Sequence, residues 1–201
     1  PRADFSDMPG WVLNADDYYG PESFAKIYAY LTEEQESGKA AMCVWQLNNT
    51  TSPHGHVARG ICEIDAGHNL MRIVERKKIK RDGDQASFTE DDGATWQPLA
   101  GSSPVSMNFW GFGAEMVGLL THGMVDFLDI TLQTNPLMGE FLLPTFVDSL
   151  IQSGQLTVRT IPVKDRWFGV TYREDKESVM RAVADLHASG QYPTPLWSHE
   201  S

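Results

Sequence analysis

Apolar positions along this chain switch between two periods. Short apolar or alternating runs at 11–15, 41–47, 57–64, 70–79, 105–112 and 156–163 read as strands. Between them the spacing widens to that of helices. Phe24, Ile27, Tyr28 and Leu31 mark one face over 21–36. Met116, Leu119, Leu120, Met124, Phe127 and Leu128 mark another over 114–132. A third helix is expected over 141–152, and a fourth over 176–188 with Val179, Val183 and Leu186 turned inward. The stretch 167–172 reads as a short buried element, and the aromatic tail 192–197 as pinned by its rings. The order is strand, helix, a block of hairpins, strand, two helices, strand and helix. That is an α/β layered domain with a β-hairpin-rich insertion at about 50–104.

The hairpin block contains Thr89-Glu90-Asp91-Asp92-Gly93-Ala94-Thr95-Trp96, which matches the Asp-box pattern of repeated-blade proteins. Blades need several copies and this chain holds one, so the pattern is read as a hairpin whose Asp-Gly supplies the turn.

The first strand runs into Asn14-Ala15-Asp16-Asp17-Tyr18-Tyr19-Gly20. Two carboxylates at the end of a buried strand suit a hard divalent cation held against a phosphate, because open α/β sheets bind ligands at strand ends. The same aspartates suit capping of the helix that opens at Pro21. On this segment alone the two readings are even.

Composition narrows the partners. Sixteen basic against 27 acidic residues leave a net charge of −11, which disfavours nonspecific binding to nucleic acid or to an anionic membrane. No apolar stretch approaches the length of a membrane span. Cys43 and Cys62 lie inside apolar runs and read as buried free thiols, which sets the expectation of a cytoplasmic protein. The chain opens at Pro1 without Met and is expected to be a piece of a longer protein. His54 and His56 flank Gly55 without a third ligand nearby and read as solvated loop residues. The basic run from Arg76 to Arg81 reads equally as a solvated face or as a phosphate contact.

Taken in order, the segments 12–20, 55–65, 73–77, 106–112, 139–143 and 167–175 resemble the latter two thirds of the sugar-phosphate nucleotidyltransferases. More narrowly, they resemble a group of uncharacterised bacterial nucleotidyltransferases. The resemblance implies a three-layer, Rossmann-like (GT-A-like) mixed sheet. It makes Asp16 a ligand of catalytic Mg²⁺, with Asp17 as a neighbouring metal ligand or helix cap and Asn14 beside them on the substrate. It makes Gly55 the glycine whose backbone approaches the sugar. In Glu75-Arg76-Lys77 the glutamate contacts the sugar, while Arg76 stands in a lysine slot and Lys77 in a proline slot, either one a phosphate contact. Gly139-Glu140 matches a pair whose carboxylate accepts bonds from sugar hydroxyls.

Two departures qualify this picture. Gly169 stands where the family carries its second metal aspartate, with Asp165 the carboxylate closest in sequence to replace it. The glycine-rich nucleotide loop, and the three strands ahead of the Asp-Asp strand, have no counterpart in this sequence. The activity implied for the full-length parent is Mg²⁺-dependent nucleotidyl transfer from a nucleoside triphosphate to a sugar 1-phosphate, with pyrophosphate released. A non-catalytic sugar-phosphate-binding module and a GT-A-type glycosyltransferase are the alternatives. A homo-oligomer stays open.

Overall fold

The most apolar segment of the chain, Lys-Ala-Ala-Met-Cys-Val-Trp-Gln, forms the strand on which the core is built. It is covered on both faces, as a strand without polar alternation must be. The computed structural model describes residues 8–33, 36–193 and 195–196. In chain order the elements are β1 (Gly10–Val12), α1 (Pro21–Glu33), β2 (Lys39–Gln46), β3 (Val57–Ile64), β4 (Leu70–Asp82), β5 (Gln85–Thr89), β6 (Gln97–Leu99), β7 (Pro104–Phe112), α2 (Met116–Thr134), α3 (Leu143–Gln152), β8 (Thr157–Pro162) and α4 (Asp175–Ala188). One mixed sheet runs in the order β6-β5-β4-β3-β7-β2-β8, with β1 also on β7. The β2–β8 pairing is parallel and the others are antiparallel. The hairpins β3 to β6 continue this sheet.

Successive side chains of β2 feed two cores. Ala41, Cys43 and Trp45 pack with Tyr19, Ile27 and Leu31 under α1. Ala40, Met42 and Val44 pack with Val147, Leu150 and Met116 under α3. Sheet and helices on both faces give the expected three-layer α/β architecture. Phe109, Trp110 and Phe112 on β7 are core residues, as the sequence suggested.

Several expectations are corrected. The strand at the start is three residues long and not buried: Trp11 and Val12 are 45% and 42% exposed. It lies along β7 with nothing on its far side among the described residues, and a groove of about 740 Å³ opens beside it between α1 and α2. Along α2 only Met116 is buried, and Met124 and Leu128 face outward. In α1, Phe24 and Tyr28 are exposed while Ile27 and Leu31 are buried. In α4 the buried residue is Asp175, whereas Val183 is 38% exposed. In each case the helical period is present, but part of the apolar stripe is left uncovered among the described residues. The stretch 167–172 makes a single bridge, Phe168 with Tyr18, and Phe168 is its buried residue. Tyr192 is tied to Tyr18 through their hydroxyls at 3.0 Å, while Trp197 lies outside the described residues. No helix among the described residues is long and apolar enough to cross a membrane.

Candidate functional site

The site grows from a fork in the sheet. One edge of β7 pairs with β3 near its start, at Ser106 and Val105, and with β1 near its end, at Trp110 to Phe112. Between these pairings Met107, Asn108 and Phe109 have no strand partner on that edge. On the other edge the β2 register slips between Met42 and Val44, so β7 bulges there. Asn108 sits on the bulge at φ 60°, a left-handed conformation that a non-glycine residue adopts at a cost and that clusters at binding sites. Its side chain is part of a cavity of about 150 Å³ lined also by Asn14, Arg59, Gly60, Glu75, Ser106 and Pro144.

The 14–20 turn forms one lip. Tyr19, fully buried, donates its hydroxyl to the Met107 carbonyl at 2.8 Å and accepts from the Asn14 backbone N–H at 3.1 Å, bracing the turn against the bulge. Asp17 Oδ2 accepts from Asn14 Nδ2 at 2.9 Å and lies 3.2 Å from the same hydroxyl. Burial, with the charges of Asp17 and Asp16 nearby, pushes the Tyr19 phenol well above its usual range, so the ring stays neutral. Asp16 is exposed and makes no hydrogen bond or ion pair among the described residues.

Neither aspartate caps α1. That role belongs to Asp165, whose Oδ2 accepts from the Glu22 N–H at 2.6 Å. Gly20, at φ 77°, leaves the space it needs; a Cβ there would stand 2.2 Å from the same oxygen. The contact spans 143 residues of sequence, which is why local pattern assigned the cap to the adjacent Asp17. Asp165 is thereby committed to the helix and does not replace the carboxylate missing at Gly169.

Gly169 does come to the aspartate turn. The Tyr18–Phe168 bridge, with N···O distances of 2.9 and 3.1 Å, carries it there. A Cβ on Gly169 would lie 2.8 Å from Asp17 Oδ1 and 2.4 Å from the Trp167 ring. An aspartate therefore has no room without moving Trp167. Among the described residues no three His, Cys, Asp or Glu side chains gather as a metal cage.

The other candidates divide. Glu75 and Asn14 reach the fork cavity. Burial raises the Glu75 carboxyl above its ordinary value, against the opposing pull of Arg59 and Lys77. Gly55 does not line the fork; it lies in the loop before β3, with Tyr172 Oη where a Cβ would come within 2.5 Å. The glycine that faces Glu75 is Gly60, where a Cβ would meet Ile73 Cγ2 at 2.7 Å and Glu75 Oε2 at 3.5 Å. Arg76 points to the other side of β4, where it pairs with Glu90 and stands 4.1 Å over the Phe88 ring. Strand alternation sends neighbours to opposite faces, so Glu75 and Arg76 cannot share one pocket. Lys77 is exposed and is not part of the cavity wall. Gly139 and Glu140 lie in the exposed loop between α2 and α3, also off that wall.

Arg59, Gly60, Asn108 and Tyr19 are the residues that sequence reasoning missed. For Asn108 and Gly60 no signal precedes the fork itself. Tyr19 stood beside the aspartates and was overlooked because its partner is 88 residues away.

No family model matches the chain, and no curated protein matches it in sequence. Solved structures do resemble it. A protein from Bacillus anthracis assigned as a glucose-1-phosphate thymidylyltransferase, solved with sucrose, superposes with a TM-score of 0.54 at 8% identity. The match takes in 90% of this chain and 56% of that one. The likeness establishes the fold. This chain has the Rossmann-like mixed α/β architecture and spans about half the length of that neighbour. A CTP:phosphocholine cytidylyltransferase from Streptococcus pneumoniae aligns over 86% of this chain and 57% of its own at 9% identity, TM-score 0.47. A CMP:2-keto-3-deoxy-manno-octonic acid synthetase aligns over 87% and 64% at 10% identity, TM-score 0.46.

Proposed function

We propose that the fork cavity holds the sugar of a sugar 1-phosphate, and that the protein to which this chain belongs transfers a nucleotidyl group to it. The observation that carries this reading is the convergence of Asn14, Gly60, Glu75 and Asn108 beside the Asp16-Asp17 turn. Amide and carboxylate groups around a glycine that exposes its backbone suit the hydroxyls of a sugar ring. In the transfer, an oxygen of the sugar phosphate attacks the α-phosphorus of a nucleoside triphosphate and pyrophosphate departs. The work required of the protein is positioning and charge neutralisation. Glu75 orients the acceptor by accepting from its hydroxyls, and Asn14 and Asn108 fix the ring from the turn and from β7.

Asp16 and the uncommitted Oδ1 of Asp17 are two hard oxygen donors. They suit a Mg²⁺ ion that draws its remaining ligands from water and substrate phosphates. Such an ion would supply charge neutralisation at the transferred phosphoryl group.

The lone glycine at 169, backed by Trp167, favours a second reading: a sugar-phosphate-binding module without transfer activity. Pyrophosphate release, measured across several nucleoside triphosphates and sugar 1-phosphates with Mg²⁺ on the full-length protein, separates the two. Turnover that falls at least about 100-fold in Asp16→Ala supports transfer. Sugar 1-phosphate binding without turnover supports the module. Sugar 1-phosphate binding that is unchanged by Glu75→Gln sinks both.

A further inference from the structure

The chain carries a net charge of −11, yet one cleft gathers arginines that no carboxylate contacts. It lies between the 48–53 loop and the segment from Arg166 to Val179, holds about 470 Å³, and is lined by Arg59, Arg81 and Arg166. That volume falls in the range of about 300–1,000 Å³ typical of small-molecule sites. Among the described residues none of these three guanidinium groups is in ion-pair contact, while Lys26, Arg76 and Lys78 elsewhere are each paired.

Arg59 stands at the boundary between this cleft and the fork cavity, since it lines both. It donates through Nε at 3.1 Å and through a terminal nitrogen to the Thr50 carbonyl, and through the other terminal nitrogen to Ala58 O at 2.7 Å. These acceptors are neutral, so the charge is left unbalanced at close range; Asp17 and Glu75 act on it only from farther off. Of five guanidinium N–H groups, two have no acceptor. Its Cζ lies over the Trp167 ring, 5.0 Å from the centroid. Burial lowers its pKa to about 10, so it stays cationic at neutral pH.

Trp167 Nε1 and Asn48 Oδ1 are both buried without a hydrogen-bond partner, and both residues belong to this cleft. Neither atom is open to the cleft, and Asn48 Oδ1 packs against Gly101, so the guanidinium groups are what the cleft offers a ligand. The acidic group of the cleft, Asp175, is already engaged: it accepts from Ser52 Oγ at 2.9 Å and from the Tyr172 N–H at 2.8 Å, with His54 Nε2 at 3.9 Å.

We infer that this cleft binds a phosphate-bearing anion, with Arg59, Arg81 and Arg166 as its cationic ligands. Guanidinium groups meet phosphate oxygens in bidentate pairs, and three of them match a polyanion better than a carboxylate. The inference rests on the charges of the cleft and stands apart from the reading of the fork.

The test is calorimetric titration of the intact chain, in EDTA and without nucleotide. The probes are pyrophosphate, inorganic phosphate, glucose 1-phosphate and sulfate. Pyrophosphate is expected to bind in the millimolar range or tighter. The exposed pair Arg81→Gln/Arg166→Gln is expected to weaken it at least about tenfold with an unchanged melting temperature. Arg72→Gln, an exposed arginine of β4 outside the cleft, is expected to leave pyrophosphate binding unchanged. Absence of binding up to about 10 mM, or equal binding by the double variant, overturns the site. Sulfate binding as tightly as pyrophosphate overturns the phosphate assignment. Glucose 1-phosphate binding more tightly than inorganic phosphate through the same arginines identifies a phosphosugar as the ligand, while equal affinities identify the free anion.

Discussion

Strands β1 and β2 lie against the same residues of β7. Gly10, Trp11 and Val12 pair with Phe112, Gly111 and Trp110, and Ala40, Ala41 and Met42 pair with those three from the opposite edge. All three β2 residues are fully buried, whereas the three of β1 are exposed. Both segments are apolar. What separates them is coverage: β2 lies between α1 and α3 and is extended by β8, while β1 has β7 on one side and a groove on the other. Apolar composition makes a strand fit to be buried, but the neighbours decide whether it is.

The sharpest way to break this comparison is to remove one large side chain from each side of it. Trp45→Ala, on β2, is expected to cost about 3–5 kcal/mol through lost contacts and a cavity. Trp11→Ala on β1 is expected to cost about 1 kcal/mol, since its ring meets Phe24 edge-on at 5.9 Å and the residue is 45% exposed. Urea unfolding of both variants checks the difference; equal losses would show that β1 is covered in solution.

Chemical labelling sharpens the same contrast. Burial pushes the thiols of Cys43 on β2 and Cys62 on β3 up to about 12, so neither is expected to react with iodoacetamide until the chain unfolds. A Trp11→Cys variant is expected to label at once. Mass spectrometry over time reads both sites, and native-state labelling of Cys43 would place β2 nearer to solvent than its burial shows.

The turn beyond β1 is anchored from afar, which gives a smaller effect. Asp165→Ala removes the carboxylate that holds the α1 N-terminus and is expected to cost about 1–2 kcal/mol. Asp17→Ala is expected to leave α1 intact. Amide exchange at Glu22 distinguishes the two; faster exchange in Asp17→Ala would return the cap to the neighbouring aspartate.

The smallest effect lies at the far hairpin. The bonds from Thr95 and Thr89 lower the Asp91 carboxyl from 3.8 to about 2. A depressed carboxyl stabilises the turn above its unfolded value and loses that contribution as pH falls through the folded one. The β5–β6 turn is therefore expected to loosen between about pH 4 and 2. The Thr95 amide shift follows it, and no change over that range would show that Asp91 does not hold the turn.

Much of the molecule was legible in the sequence because its signals are local. The element order, the bounds of β3, the core roles of Phe109, Trp110 and Phe112, and the single Asp-box as a hairpin all follow from periodicity and turn chemistry. The candidate site was legible in part. Asn14 and Glu75 meet in the fork, but Gly55, Arg76, Lys77 and Glu140 do not, because each choice rested on position in the chain without the facing of its side chain.

The sequence by itself determined where the chain is extended and where it coils. Period and residue type carry that information within a few residues. Only the tertiary structure decided that Asp165 caps α1, that β7 bulges at Asn108 where β3 and β1 part, and that Arg59, Arg81 and Arg166 line one cleft. Each of these joins groups far apart in the chain. The burial, charge balance and hydrogen-bond satisfaction that give them meaning are sums over neighbours that exist only once the sheet has formed.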